Sequence, residues 1–222
     1  EATEHYTRKP GKRIVNFNRE AIEQVIAYCD TLGEDLFALR DRAFVLTLAD
    51  TGLRISEACA LKRGDIDWQE CRAIIIGKGD KQAVIRFSNR SIQALKDYLH
   101  ERVSVDPNSR KPLATQALFA RHDITASKTI KPISAGGMWK AIKDRMTEAG
   151  VARQMVRIHD FRHYFFTMTY LAKGNLKLSQ ELARHESIST TNRYAHFGGE
   201  ADVAYDEIFN KRDLGNTTTN SH

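Results

Sequence analysis

Cysteine is scarce in this chain: Cys29, Cys59 and Cys71 are the only three in 222 residues, and no Cys-x-x-Cys pair occurs. That pattern argues against a disulfide framework and against a zinc site, and a reducing compartment, the cytoplasm, is the expected setting. Long hydrophobic runs are missing as well. The longest, such as Ala43 to Ala49, are far too short to span a bilayer, and no stretch has the layout of a signal peptide. There is no internal repeat and no low-complexity segment before the C-terminal tail. A Gly-Lys-Gly at residues 77–79 lacks the rest of a Walker pattern and lies between two strand-like runs, so a nucleotide-binding loop is rejected. No metal, small-molecule cofactor or membrane partner is expected. The chain starts at Glu1 without a methionine, as a fragment or a processed form would.

What is present is an ordinary globular balance. Apolar residues make up 41% and charged residues 28%, enough to bury one good-sized core in one domain, with or without tails. The net charge of +6 favours a polyanionic partner.

Residues 1–13 are polar, with Arg8, Lys9, Lys12 and Arg13 around Pro10-Gly11. They form a basic linker or arm, either solvated or laid on a polyanion. Asn18 is placed to cap a helix whose apolar stripe is Ile22, Val25, Ile26 and Cys29, with Phe17 and Ile22 as a staple and Gly33 as its end. A second apolar helix, Leu36 to Asp50, stops at Thr51-Gly52. Arg54 follows between Leu53 and Ile55, with Glu57 three positions on to brace it; a surface Arg–Glu pair is the alternative. Branched residues in Arg72 to Ile76 and Ala83 to Phe87 read as a hairpin with Lys78 and Lys81 at its tip, and a short strand at Asp65 to Trp68 can pair with it. Ser88 caps a further helix carrying Ile92, Leu95, Tyr98 and Leu99. A loop-rich stretch, Asp106 to Lys131, then leads to a helix opening at Ser134. Its N-terminus serves either plain capping or the seating of a phosphate.

The remaining chemistry lies in Ile158 to Phe197. His159 and Arg162 are three positions apart, which on a helix places them on one face. Phe161, Tyr164, Phe165, Met168 and Leu171 would anchor that helix in the core, and Gly174-Asn175 would end it. A short helix at about Leu178 to Arg184 follows, then His185, then Tyr194 on a third short helix with Ser189 as cap. Arginine offers a planar fork of donors to phosphate oxygens, histidine relays protons near neutrality, and a tyrosine hydroxyl becomes a nucleophile only when its proton is removed. Together they suit attack of a phenolate on a phosphodiester. Each pair alone is as consistent with helix surface or core.

HDFRH and ARHESISTTNRYAHF, together with TGLRISE upstream, resemble the boxes of the tyrosine recombinase (phage integrase) family. The resemblance covers residues 14–197 and implies a mainly α catalytic-domain fold with a small antiparallel β-sheet. It implies a catalytic set of Arg54, Lys78, His159, Arg162, His185 and Tyr194, with Glu57 supporting. Arg54 and Arg162 would clamp the scissile phosphate, His185 would hydrogen-bond it, and His159 would assist proton loss from Tyr194. Lys78 would protonate the departing 5′-hydroxyl, leaving a 3′-phosphotyrosyl link that needs neither metal nor ATP. Lys81, Arg13, Ser134 and Arg184 are candidate DNA contacts. Arg184 stands where the family usually has glycine and adds a cation beside His185. The expected partner is double-stranded DNA, with a dimer to tetramer of this chain assembled on it. Residues 198–210 would form a C-terminal helix, exchanged between protomers in many relatives, and 211–222 a disordered tail. Relatives carry a separate DNA-clamping domain, which residues 1–13 are too short to form. A type IB topoisomerase and a non-catalytic DNA-binding module are the alternative readings.

Overall fold

The computed structural model describes residues 17–76, 82–105, 112–122, 130–173 and 175–182. The expected arm, C-terminal helix and tail lie outside those residues.

Helix α1 (Arg19–Asp30) begins where Asn18 accepts the Ala21 N–H through its side chain, and it buries Ala21, Ile22, Val25, Ile26 and Cys29. It closes at Thr31, ahead of the expected Gly33, because the Thr31 N–H and hydroxyl both satisfy the Tyr28 carbonyl. Helix α2 (Leu36–Thr51) is capped by Asp35, which accepts the N–H groups of Phe37 and Ala38. From Ala38 onward almost every residue of α2 is buried, so this helix is the axis of the domain and packs on α1 and on four later helices. Its buried polar groups are paired. Thr47 and Thr51 donate to carbonyls one turn back, and Asp41 accepts from Arg40 and from Arg145 of a later helix.

After the short helix α3 (Ile55–Ala60) come β1 (Ile66–Asp67), β2 (Arg72–Ile76) and β3 (Gln82–Arg86). They form one antiparallel sheet in the order β1-β2-β3, with Ile74 opposite Val84 and Ile76 opposite Gln82. Period-two alternation sends Ala73, Ile75 and Ile85 into the core. Helix α4 (Asn89–Val105) is capped by Ser88. Its Arg102 is fully buried and donates to the Ala117 and Leu118 carbonyls. That pinning orders part of the loop-rich stretch and buries Leu118 and Phe119.

Helix α5 (Ala135–Glu148) inserts Met138, Ile142 and Met146, each fully buried, a contribution of about 1.5–3 kcal/mol per side chain. Helices α6 (Asp160–Lys173) and α7 (Leu176–Leu182) complete the described residues. Phe161, Tyr164 and Phe165 anchor α6 as expected. Leu171 does not: it is 59% exposed, because the last turn of α6 presents residues 170–172 to solvent. Helix α7 starts two residues earlier than expected, since the Asn175 side chain caps it through the Leu178 N–H. The fold is thus mainly helical with one small antiparallel sheet.

Gly64 is required by close packing. A Cβ on Gly64 would lie 2.7 Å from the Ala114 Cβ and 2.8 Å from its carbonyl oxygen, where the turns Arg63–Asp65 and Leu113–Thr115 meet. Gly64→Ala is expected to lower stability by about 1–3 kcal/mol. A urea midpoint equal to that of the wild type would refute that packing.

Candidate active site

Three alternate residues at the end of α2 are each tied to a different element. The buried Asp50 carboxylate accepts the Ser88 hydroxyl and the Arg90 guanidinium, at 3.0 Å for the closer Arg90 nitrogen. Gly52, in the left-handed conformation (φ 62°), closes α2 through its N–H to Leu48 and presents its carbonyl to Arg162 Nη1 at 2.7 Å. Arg54 begins α3. Its backbone N–H donates to Glu57 Oε2 at 2.8 Å, and its Nη1 donates to Glu57 Oε1 at 2.9 Å. The flanking Leu53 and Ile55 are buried, as expected, so the chain between Asp50 and Arg54 is held at both ends and in the middle.

Glu57 braces Arg54 as its spacing predicts. The pair is partly exposed, at 36% for the arginine side chain and 14% for the glutamate. An ion pair so placed adds little to stability; its effect is to aim the guanidinium.

The first turn of α6 meets the α2–α3 turn through Arg162. Asp160 is buried and accepts the Arg157 backbone N–H at 2.8 Å, while the His159 carbonyl accepts the N–H groups of Arg162 and His163. His159 therefore stands just before the first helical residue, and the three-residue spacing to Arg162 spans the helix boundary instead of lying along one helical face. The two side chains differ accordingly. His159 is exposed and Arg162 is 8% exposed. The tether from Arg162 to the Gly52 carbonyl links the two arginines through two residues of main chain. His163 sits half-buried, its ring stacked on Phe17 with centroids 6.4 Å apart. Burial lowers its pKa below the ordinary histidine value; Asp160 opposes, and His159, Arg157 and Arg162 push the same way as burial.

Ser134 accepts the Gly137 N–H at 3.1 Å and so caps α5. It lines a cleft with Ser56, Cys59 and Lys62. Burial pushes the Cys59 thiol up to about 12, so that cysteine is unreactive at neutral pH. Lys78, Lys81, Arg13, Arg184, His185 and Tyr194 lie outside the described residues. The register Ile76 to Gln82 leaves residues 77–81 as the connection between β2 and β3. Sequence reasoning passed over four residues of the site: Asp50, Gly52 as an acceptor, Asp160 and His163. An aspartate at the start of the HDFRH helix was the available signal for Asp160; the partners of Asp50 and Gly52 are too distant in sequence to be read. Among the described residues, no helix is long and apolar enough to cross a membrane.

The sequence profile of the phage integrase family matches residues 16–199. The chain belongs to the phage integrase family. The tyrosine recombinase XerC of Treponema denticola is 30% identical over 166 residues, covering 74% of this chain and 54% of the relative. The chain thus spans about half the length of that relative. Among solved structures, the XerA recombinase superposes with a TM-score of 0.63 at 26% identity, over 93% of this chain and 66% of that one. The XerH site-specific recombinase, bound to a palindromic difH substrate in a post-cleavage complex, gives 0.61 at 23% identity, over 89% and 50%. The latter likeness is one of fold. The two arginine boxes, TGLRISE and HDFRH, lie within the stretch matched to the phage integrase family, joined by the Arg162–Gly52 hydrogen bond.

Proposed function

We propose that this chain carries the catalytic domain of a site-specific DNA recombinase that breaks and rejoins strands through a 3′-phosphotyrosyl intermediate. The observation that carries the reading is the tether between Arg162 and the turn that aims Arg54. Arg54, aimed by that turn, and Arg162, reaching it from α6, would form a clamp for the non-bridging oxygens of one phosphate, where charge grows in the transition state. His159, exposed beside the clamp, assists proton loss from Tyr194, and His185 adds a hydrogen bond to the phosphate. The phenolate attacks phosphorus, Lys78 protonates the leaving 5′-hydroxyl, and the new ester keeps the energy of the phosphodiester. A 5′-hydroxyl from a second strand then reverses the step without ATP or a metal ion. Lys81, Arg13, Ser134 and Arg184 add backbone contacts, and the +6 charge gives salt-dependent affinity for double-stranded DNA. A dimer to tetramer on paired sites would complete strand exchange.

The test uses a duplex selected from a random-sequence library by binding to the chain, placed twice in a supercoiled plasmid. Denaturation should leave protein covalently attached, and the products should include exchanged circles. Relaxed circles with no exchange would replace the reading with a topoisomerase. Salt-sensitive binding with no adduct would replace it with a non-catalytic module.

A further inference from the structure

The four residues that follow His159 each find a different anchor. The Asp160 carboxylate closes on the Arg157 backbone, Phe161 is in the core, and Arg162 grips Gly52. His163 lies against Phe17, just ahead of α1, with the two rings 25° from parallel. Its backbone N–H donates to the His159 carbonyl at 3.2 Å. The exposed His159 side chain thus rests on a turn that His163 fastens to the start of α1 through Phe17, and nothing in the proposed chemistry uses His163 itself.

We infer that His163 is a positioning residue, stacked on Phe17 to hold the first turn of α6 and thereby His159 in the geometry for DNA cleavage. The inference rests on the recombinase reading above. A ring at this position is asked for by the stack and not by charge. Burial lowers the His163 pKa, with the cationic Arg157 and Arg162 and the neighbouring His159 adding and Asp160 opposing, which favours the neutral ring that stacks on Phe17. Stacked rings with centroids within about 7 Å are mutually attractive, and the stack joins residues 146 positions apart in sequence, 163 minus 17.

The test compares wild type, His163→Ala, Phe17→Ala, the double variant and His163→Phe. Single-turnover cleavage and affinity are both read on the selected duplex, with melting temperatures alongside. His163→Ala and Phe17→Ala should each cut cleavage by about 10- to 100-fold, the scale of a small misplacement at a reacting centre, with duplex affinity nearly unchanged. The double variant should be no slower than the slower single, and His163→Phe should restore most of the rate. Unchanged cleavage in His163→Ala would overturn the inference. So would multiplied losses in the double variant, failure of His163→Phe to restore the rate, or a loss of affinity and melting temperature matching the loss of rate. A wild-type chain that forms no adduct would instead remove the recombinase reading, and this inference with it.

Discussion

Tyr194→Phe protein is expected to bind the selected duplex as tightly as wild type and to leave no covalent adduct after denaturation. The substitution removes one hydroxyl oxygen and keeps the ring, so binding through the arginines and the basic surface is untouched. Loss of a nucleophile lowers turnover on the order of 10⁶-fold, far below what a denaturing gel detects. Seven tyrosines are present in the chain, which makes the control as informative as the variant. Tyr98 and Tyr164 are buried in the core, and Tyr28 is held to Glu148 at 3.2 Å. Among the described residues, Tyr170, 41% exposed on α6, the same helix as Arg162, is the rival to test. Tyr170→Phe should cleave normally. An adduct that persists in Tyr194→Phe and vanishes in Tyr170→Phe would move the nucleophile and with it the assignment of every general acid and base.

The second large effect is expected at Gly52, which touches no DNA in the proposed mechanism. A Cβ there would stand 2.5 Å from Phe165 Cδ1 and 3.0 Å from its Cγ. Phe165 is itself buried in the core and cannot swing aside. The left-handed φ of 62° adds a second penalty, roughly 1–2 kcal/mol for a residue with a side chain, beside about 1–3 kcal/mol for overpacking. Gly52→Ala is therefore expected to lose roughly 2–5 kcal/mol of stability and to cleave poorly even when folded, because the displaced carbonyl releases Arg162. Arg162→Lys separates the two effects. Lysine still reaches the carbonyl but lacks the planar fork, so its unfolding midpoint should stay near wild type while cleavage falls. Denaturant unfolding and single-turnover cleavage on the two proteins check this. A Gly52→Ala protein with wild-type stability would contradict the close approach of α6 to the α2–α3 turn.

Features that depend on neighbours along the chain are legible in the amino-acid sequence. The Asn18 cap, the stop at Gly52, the hairpin strands and the Glu57 brace all follow from interactions spanning a few residues, and all are found. The ends that shifted did so for local reasons of the same kind: Thr31 satisfied a carbonyl before Gly33 was reached, and Asn175 capped α7 early. Contacts between distant segments are not legible in that way. Arg162 to Gly52 spans 110 positions, Arg145 to Asp41 spans 104, and Arg90 to Asp50 spans 40; no periodicity encodes such a partner. Leu171 failed for the same reason. Its spacing fits the apolar stripe of α6, but whether the last turn meets a neighbour is decided by how far the core extends. Three of the six proposed catalytic residues, Arg54, His159 and Arg162, are placed by the structure. The roles of the set come from resemblance and chemistry, since helical spacing alone would have put His159 and Arg162 in equivalent surroundings.

The alternation of Asp50, Gly52 and Arg54 along one turn bears on how such chains can diverge. A substitution at Ser88, Arg162 or Glu57 is felt at the same five residues, so changes in the two arginine boxes should be strongly dependent on each other's background. A graft of residues 158–166 from a relative would arrive with a grip shaped for a different turn. Exchanged together with residues 48–57, the same graft would carry its own mounting. Although 110 positions separate Gly52 from Arg162, the two boxes would then drift as one heritable unit.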